Sequence, residues 1–134
     1  VWFTGGFVVG FWGVSMEAKV QRRNGVTVVN LKGFIDVETA IPFRDACIKS
    51  LGQANTKVVF NLEGLNFVGS NGILPFVETL HDLCDQEAVQ IKFCKVSAEF
   101  QKIFKASPLR DVEIFNDENG AILALSEVLS EPAG

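Results

Sequence analysis

The sequence predicts a mixed α/β (α+β) domain, in which a mixed β-sheet opens on an N-terminal hairpin and continues with alternating helices and strands. Three observations carry that expectation. Two alternating, β-branched segments flank Asn24-Gly25, a pair suited to the tight type I′ turn of a hairpin. Short apolar runs of strand type, KVVFNL at 57–62 and QIKFCKV at 90–96, recur between segments whose apolar residues follow helical spacing. At 134 residues the chain is long enough to bury a core as one domain, and no repeat or low-complexity linker divides it.

The elements follow in order. Ala18 to Arg22 and Val26 to Leu31 form the hairpin, and Gly33 is expected to break its second strand. Asp36 or Thr39 caps a helix through Ile41, Phe43, Ala46, Cys47 and Leu51, which Gly52 closes. Pro42 falls in its first turn, where a missing N–H costs little. Lys57 to Leu62 reads as a buried strand, followed by the loop EGLNFVG and Ser70. Ile73, Phe76, Val77, Leu80, Leu83 and Cys84 then mark the buried stripe of a helix, with Glu78, Asp82 and Asp85 on the opposite face. After the strand at 90–96, Ser97 starts a short helix holding Phe100, Ile103 and Phe104, which ends before Pro108. Val112 to Phe115 is a brief strand, and Asn116 or Asp117 caps a last helix through Ala121, Leu125 and Leu129, with a frayed tail, SEPAG.

Residues 1–15, VWFTGGFVVGFWGVS, differ from the rest in carrying no charge and much glycine and aromatic character. The stretch is shorter than the ~20 apolar residues of a spanning helix. It also lacks the basic region and cleavage site of a signal peptide. It is expected to lie outside the fold, with the domain occupying residues 16–134. A membrane-surface anchor is the alternative for this segment.

Composition excludes several classes. Apolar residues make up 48% and charged residues 21%, which places the chain among globular domains. A net charge of −4 argues against nucleic acid, which needs a clustered basic surface. Lys92, Lys95, Lys102 and Lys105 are spread over two elements and read as a solvated face. Cys47, Cys84 and Cys94 have unrelated spacings and a single histidine beside them, so neither a zinc site nor a disulfide framework is expected. They read as buried thiols of a reducing cytoplasm. Phe occurs 12 times and Tyr not at all, which favours dry packing over a hydrogen-bonding aromatic surface.

Catalytic readings find little support. His81 and Asp82 are neighbours on a helix, so their side chains point about 100° apart and form no oriented pair. Glu63 is a lone carboxylate at a strand end, without a partner for acid–base chemistry. Gly69 and Gly72 flank Ser70 but match neither GxGxxG nor the P-loop. No cofactor and no enzymatic activity are expected. Ser70 stands where a loop becomes a helix, and the plain reading is an N-cap whose oxygen accepts an orphan backbone N–H. The same place suits a phosphate, because a helix start carries roughly +0.5 charge and a phosphoserine adds about −1.5 to −2.

These residues resemble a family. LKGFIDVETA (31–40) is similar to the strand end, glycine, aspartate and helix start of STAS domains, the anti-sigma factor antagonists. VVFNLEGLNFVGSNGI (58–73) is similar to their central strand, loop and phosphoacceptor motif, written D-[ST]-[ST]-G. VSAEFQKIFKASPL (96–109) is similar to their third helix, which usually ends S-G-L. The resemblance runs from Met16 to about Leu129 in the expected order, and implies a STAS-like mixed sheet.

The resemblance further implies a protein without catalytic activity. Such antagonists bind a kinase-type anti-sigma factor, are released when this serine kinase phosphorylates them, and are restored by a serine phosphatase. Ser70 matches the phosphoacceptor. Asp36 matches the family's acidic residue near the phosphoacceptor, and the partner-binding surface is expected to combine it with Gly69, Asn71 and Gly72 and with Glu78 and Asp82 on the following helix. Four positions depart from the pattern: Gly69 replaces the Asp, Asn71 the second hydroxyl residue, and Pro108 a glycine, while Pro75 enters the first helical turn. An accessory STAS subunit of a lipid transporter, or a scaffold without a working phosphosite, is the alternative the resemblance leaves open. Membrane association and nucleic-acid binding are not expected.

Overall fold

The structure, a computed structural model, describes residues 5–11, 14–35, 43–45, 56–67, 73–85 and 89–130. Its described strands are β1 (Gly5–Phe11), β2 (Val14–Arg23), β3 (Val26–Ile35), β4 (Thr56–Phe67), β5 (Val89–Cys94) and β6 (Ile114–Phe115). They form one sheet in sequence order. The pairings β1–β2 and β2–β3 are antiparallel, and β3–β4, β4–β5 and β5–β6 are parallel. The helices are α1 (Ile73–Cys84), α2 (Ala98–Lys105) and α3 (Glu118–Ser130), and Phe43–Asp45 are also helical. The expected mixed sheet, with an opening hairpin and then alternating helices and strands, is the fold found.

The hairpin turns where expected. Asn24 and Gly25 take φ of 54° and 79°, the left-handed conformations that a type I′ turn requires of both central residues. Gly33 does not break β3. It takes φ of 107° inside the strand, which continues to Ile35.

The segment EGLNF, expected in a loop, is also strand: β4 runs on to Phe67. The reason is a bulge. Between Asn30 and Lys32 the register advances two residues on β3 and three on β4, so β4 carries one extra residue and its alternation changes phase. Leu62 and Leu65, an odd number apart, therefore both face the main core. Just past this shift, a Cβ at Gly64 would come within 2.8 Å of Lys32 Cβ, so β3 and β4 approach closely there. At the other end of β5, Lys95 with φ of 57° ends the strand, two residues before the expected boundary.

Residues 1–15 were expected outside the fold, yet Gly5–Phe11 pairs with β2 over seven positions. A run of Phe and Val with no charge or proline can take strand geometry once a neighbour supplies hydrogen bonds.

The main core lies between one sheet face and α1, α2 and Phe43. Six phenylalanines form a continuous path through it. Phe43 meets Phe76 at 5.4 Å between ring centroids, Phe76 meets Phe100 at 6.2 Å, and Phe100 meets Phe104 at 6.5 Å. Phe104 stands edge-on to Phe93 at 5.3 Å, and Phe93 stacks on Phe60 at 5.7 Å. All six rings are buried. They join the helical residue Phe43, α1, α2, β5 and β4 by contacts each worth about 0.5–1.5 kcal/mol beyond area burial.

The opposite sheet face holds a smaller cluster of Val26, Val28, Val59 and Cys94 under Ala121, Ile122 and Leu125 of α3. Polar contacts fix this helix. Asp117 Oδ1 accepts from Gly120 N at 2.7 Å and caps it. Glu118 accepts from Arg23 and from Asn61, both at 2.9 Å, and so ties the helix start to β2 and β4. Buried Lys57 Nζ donates to the Leu125 carbonyl at 3.1 Å.

Burial pushes the Cys94 thiol up to about 12, with the nearby Glu118 carboxylate adding to the effect. Burial likewise pushes Cys84 up to about 11, with Asp85 adding. Both thiols stay protonated in the native state at pH values where the unfolded chain loses its thiol protons. The unfolded state then binds fewer protons, so stability falls as pH rises from the unfolded thiol range towards these native values. Urea midpoints measured from pH 8 upward are expected to decline over this window, and Cys94→Ala is expected to flatten part of the decline. An unchanged slope in the variant contradicts the assignment.

Candidate functional site

Parallel pairing decides which strand ends lie together at the candidate site. At the ends of β3 and β4, Phe34 pairs with Asn66 and Ile35 with Phe67. The chain leaves β3 one residue before Asp36 and leaves β4 three residues before Ser70. The two segments singled out from the sequence thus depart from paired positions. Asp36, Gly69, Ser70, Asn71 and Gly72 themselves lie outside the described residues, and so does Cys47.

Description resumes at Ile73 with α1, whose buried side is Phe76, Val77, Thr79, Leu80 and Leu83. Ile73 and Cys84 pack against the same core, as the helical stripe predicts. Pro75 lies in the first turn, where it removes no intrahelical donor. Glu78 and Asp82 are both exposed, and their four-residue spacing puts them on one face of the helix. Asp82 is engaged: Arg44 Nη2 lies 3.2 Å from its Oδ2, with both side chains about half exposed at 49% and 53%. That pair links the helical residues 43–45 to α1. His81 is half-buried.

Two apolar residues escaped the sequence reading. Leu74, in the first turn of α1, is 62% exposed, and Phe34, at the end of β3, is 47% exposed. Leu74 borders a groove of about 320 Å³ between α1 and α2, formed with Ile73, Val77, Ile103, Ala106 and Ser107. The signal for Leu74 was available, since it falls off the stripe set by Ile73, Phe76, Val77 and Leu80. Phe34 gave no such signal, because its facing follows from the continuation of β3 beyond Gly33.

A second cleft, of about 310 Å³, lies between the end of β4 and the start of α2. Glu63, Asn66, Ser97 and Glu99 supply its polar groups. Ser97 is the predicted cap of its helix: its Oγ accepts from Phe100 N at 3.2 Å. The cleft therefore offers two carboxylates, one amide and a hydroxyl whose oxygen accepts from the helix end. Among the described residues no three His, Cys, Asp or Glu side chains are grouped to hold a metal ion. No helix among them is long and apolar enough to cross a membrane.

The fold and this arrangement of strand ends define a class. The STAS domain family model matches residues 17–121, and the chain belongs to that family. Solved structures with the same fold include an anti-sigma factor antagonist from Mycobacterium paratuberculosis, with 20% identity and TM-score 0.65. It covers 81% of this chain and 92% of that one. The phosphorylated form of the Bacillus cell fate determinant SpoIIAA is 19% identical with TM-score 0.60, covering 81% and 98%. A STAS-domain anti-sigma factor antagonist from Planctomyces limnophilus is 21% identical with TM-score 0.60, covering 81% and 97%. Comparison with curated protein sequences gives no match.

The Arg44–Asp82 pair is exposed enough for water and salt to screen it. A double-mutant cycle with Arg44→Ala and Asp82→Ala is expected to give a coupling below about 1 kcal/mol, shrinking as salt is raised. A large coupling insensitive to salt contradicts this description.

Proposed function

We propose that the chain is an anti-sigma factor antagonist that binds a kinase-type anti-sigma factor and is switched by phosphorylation of Ser70. The observation that carries this reading is the pairing of Ile35 with Phe67, the strand-end residues that Asp36 and Ser70 follow in sequence by one and three positions. On α1, exposed Leu74, Glu78 and Asp82 offer one apolar and two acidic groups. Membership of the STAS family and the antagonists among the solved relatives support the same reading.

The chemistry asked of this chain is small. The kinase transfers the γ-phosphoryl group of ATP to Ser70 Oγ, the hydroxyl proton passes to a base on the kinase, and ADP leaves. The antagonist supplies Ser70, three residues ahead of Ile73 where α1 is first described, and the partial positive charge of a helix start favours a new dianion. A partner seated on this surface then meets a hydrated phosphate that it has to desolvate, and the complex separates. A serine phosphatase restores the free hydroxyl. No catalytic group of the antagonist takes part, and cytoplasmic localisation follows from the location of such kinases.

The test uses the full chain with anti-sigma kinases from the source cell. A gain of one phosphoryl group, mapped to Ser70 and absent in Ser70→Ala, is expected. Asp36→Arg is expected to weaken the unphosphorylated complex by at least tenfold, about 1.4 kcal/mol. A chain that carries no phosphate on Ser70 and co-purifies with a transporter ATPase subunit contradicts the proposal, and favours the accessory-subunit reading.

A further inference from the structure

We propose that the outer edge of β1 pairs with the same edge of a second copy of the chain, so that two sheets join into one across a two-fold axis. The sheet's two edges are finished differently. β6 is two residues long, preceded by Glu113 and followed closely by Asp117. So short a strand flanked by acids offers a poor template for another chain. β1 is seven residues, GGFVVGF, with no charge and no proline. It pairs with β2 along its whole length without a register shift. Sheets blunt an edge with lysine, proline, a bulge, extreme shortness or a covering helix or loop, and among the described residues β1 has none of these.

An antiparallel ladder over this length supplies on the order of seven backbone hydrogen bonds, one per residue pair. A second copy suits the edge better than an unrelated strand. Antiparallel pairing of a strand with itself is the self-complementary contact that a two-fold axis makes, and it uses each edge once and closes. In full overlap Phe7 stands opposite Val9 of the second copy, an aromatic and β-branched combination favoured across strands. Val8 then stands opposite Val8 of the second copy, at the centre.

That central position provides the test. Within one chain Val8 pairs with Glu17, and Glu17 pairs with Lys32, its ion-pair partner at 3.7 Å. Position 8 is thus in register with Glu17, so Val8→Lys stands opposite a carboxylate of its own chain and Val8→Glu opposite a like charge. Across the two-fold axis a charge there faces its own copy, and like charges directly opposite destabilise a ladder.

Sedimentation of the full chain is expected to give a dimer for the wild type and a monomer for Val8→Lys, while Val8→Glu, which also meets Glu17 of its own chain, serves as its complement. An equimolar mixture of the two variants is expected to restore the dimer. A monomeric wild type overturns the proposal, as does a Val8→Lys chain that remains a dimer. A wild-type dimer prepared from differently isotope-labelled copies keeps the test independent of the variants. Intermolecular nuclear Overhauser contacts between β1 strands are expected, and a dimer without them overturns the proposal.

Discussion

The parallel pairing of β3 with β4 is the constraint on which the rest of the structure depends. β3 is antiparallel to β2 on one side and parallel to β4 on the other, so it joins the opening hairpin to the alternating part of the chain. Parallel neighbours need a long crossover, and here residues 36–55 connect the two strands. Both strands bury side chains on both faces: Val29 and Phe60 in the main core, Val28 and Val59 under α3. Their shared direction also means that both end at one side of the sheet, where the Asp36 and Ser70 segments begin. Phenylalanine contacts hold α1 and α2 on one face, while Glu118 and Lys57 hold α3 on the other.

Much of this was legible because the relevant signals are local. Asn24-Gly25 specifies its own turn, Ser97 and Asp117 cap the helices they precede, and the apolar stripe of α1 gives its buried side directly. What escaped depended on a neighbouring strand. Leu62-Glu63-Gly64-Leu65 breaks alternation and reads as a loop, yet a bulge against β3 keeps it in the sheet. Gly33 reads as a breaker, yet the same pairing holds it inside β3. Gly5–Phe11 has strand-type residues but no alternating polar face, and its place is set by β2. At the candidate site, Glu78 and Asp82 were legible as an exposed face, whereas the Arg44 partner of Asp82 depends on how residues 43–45 meet α1.

On the proposed reading, function in this chain is a property of surface rather than of reactive groups. The buried thiols are held protonated, Ser97 is committed to a helix end, and the acids of α1 face solvent. The proposed regulation uses the segments that follow the ends of β3 and β4, where a helix start favours an added dianion. A rigid, phenylalanine-bonded interior beneath that surface keeps the effect of such a change local. The proposed switch would thus lie apart from the core that keeps the fold's shape.

The most direct test of this account is a comparison of backbone amide chemical shifts before and after stoichiometric phosphorylation of Ser70. The account predicts changes confined to the ends of β3 and β4, the segments leaving them and the first turns of α1. The amides of Val26, Val59 and Ala121 under α3 should be unmoved. Shifts spread through that opposite layer would show that the phosphate remodels the fold, and would contradict a switch written on a fixed surface.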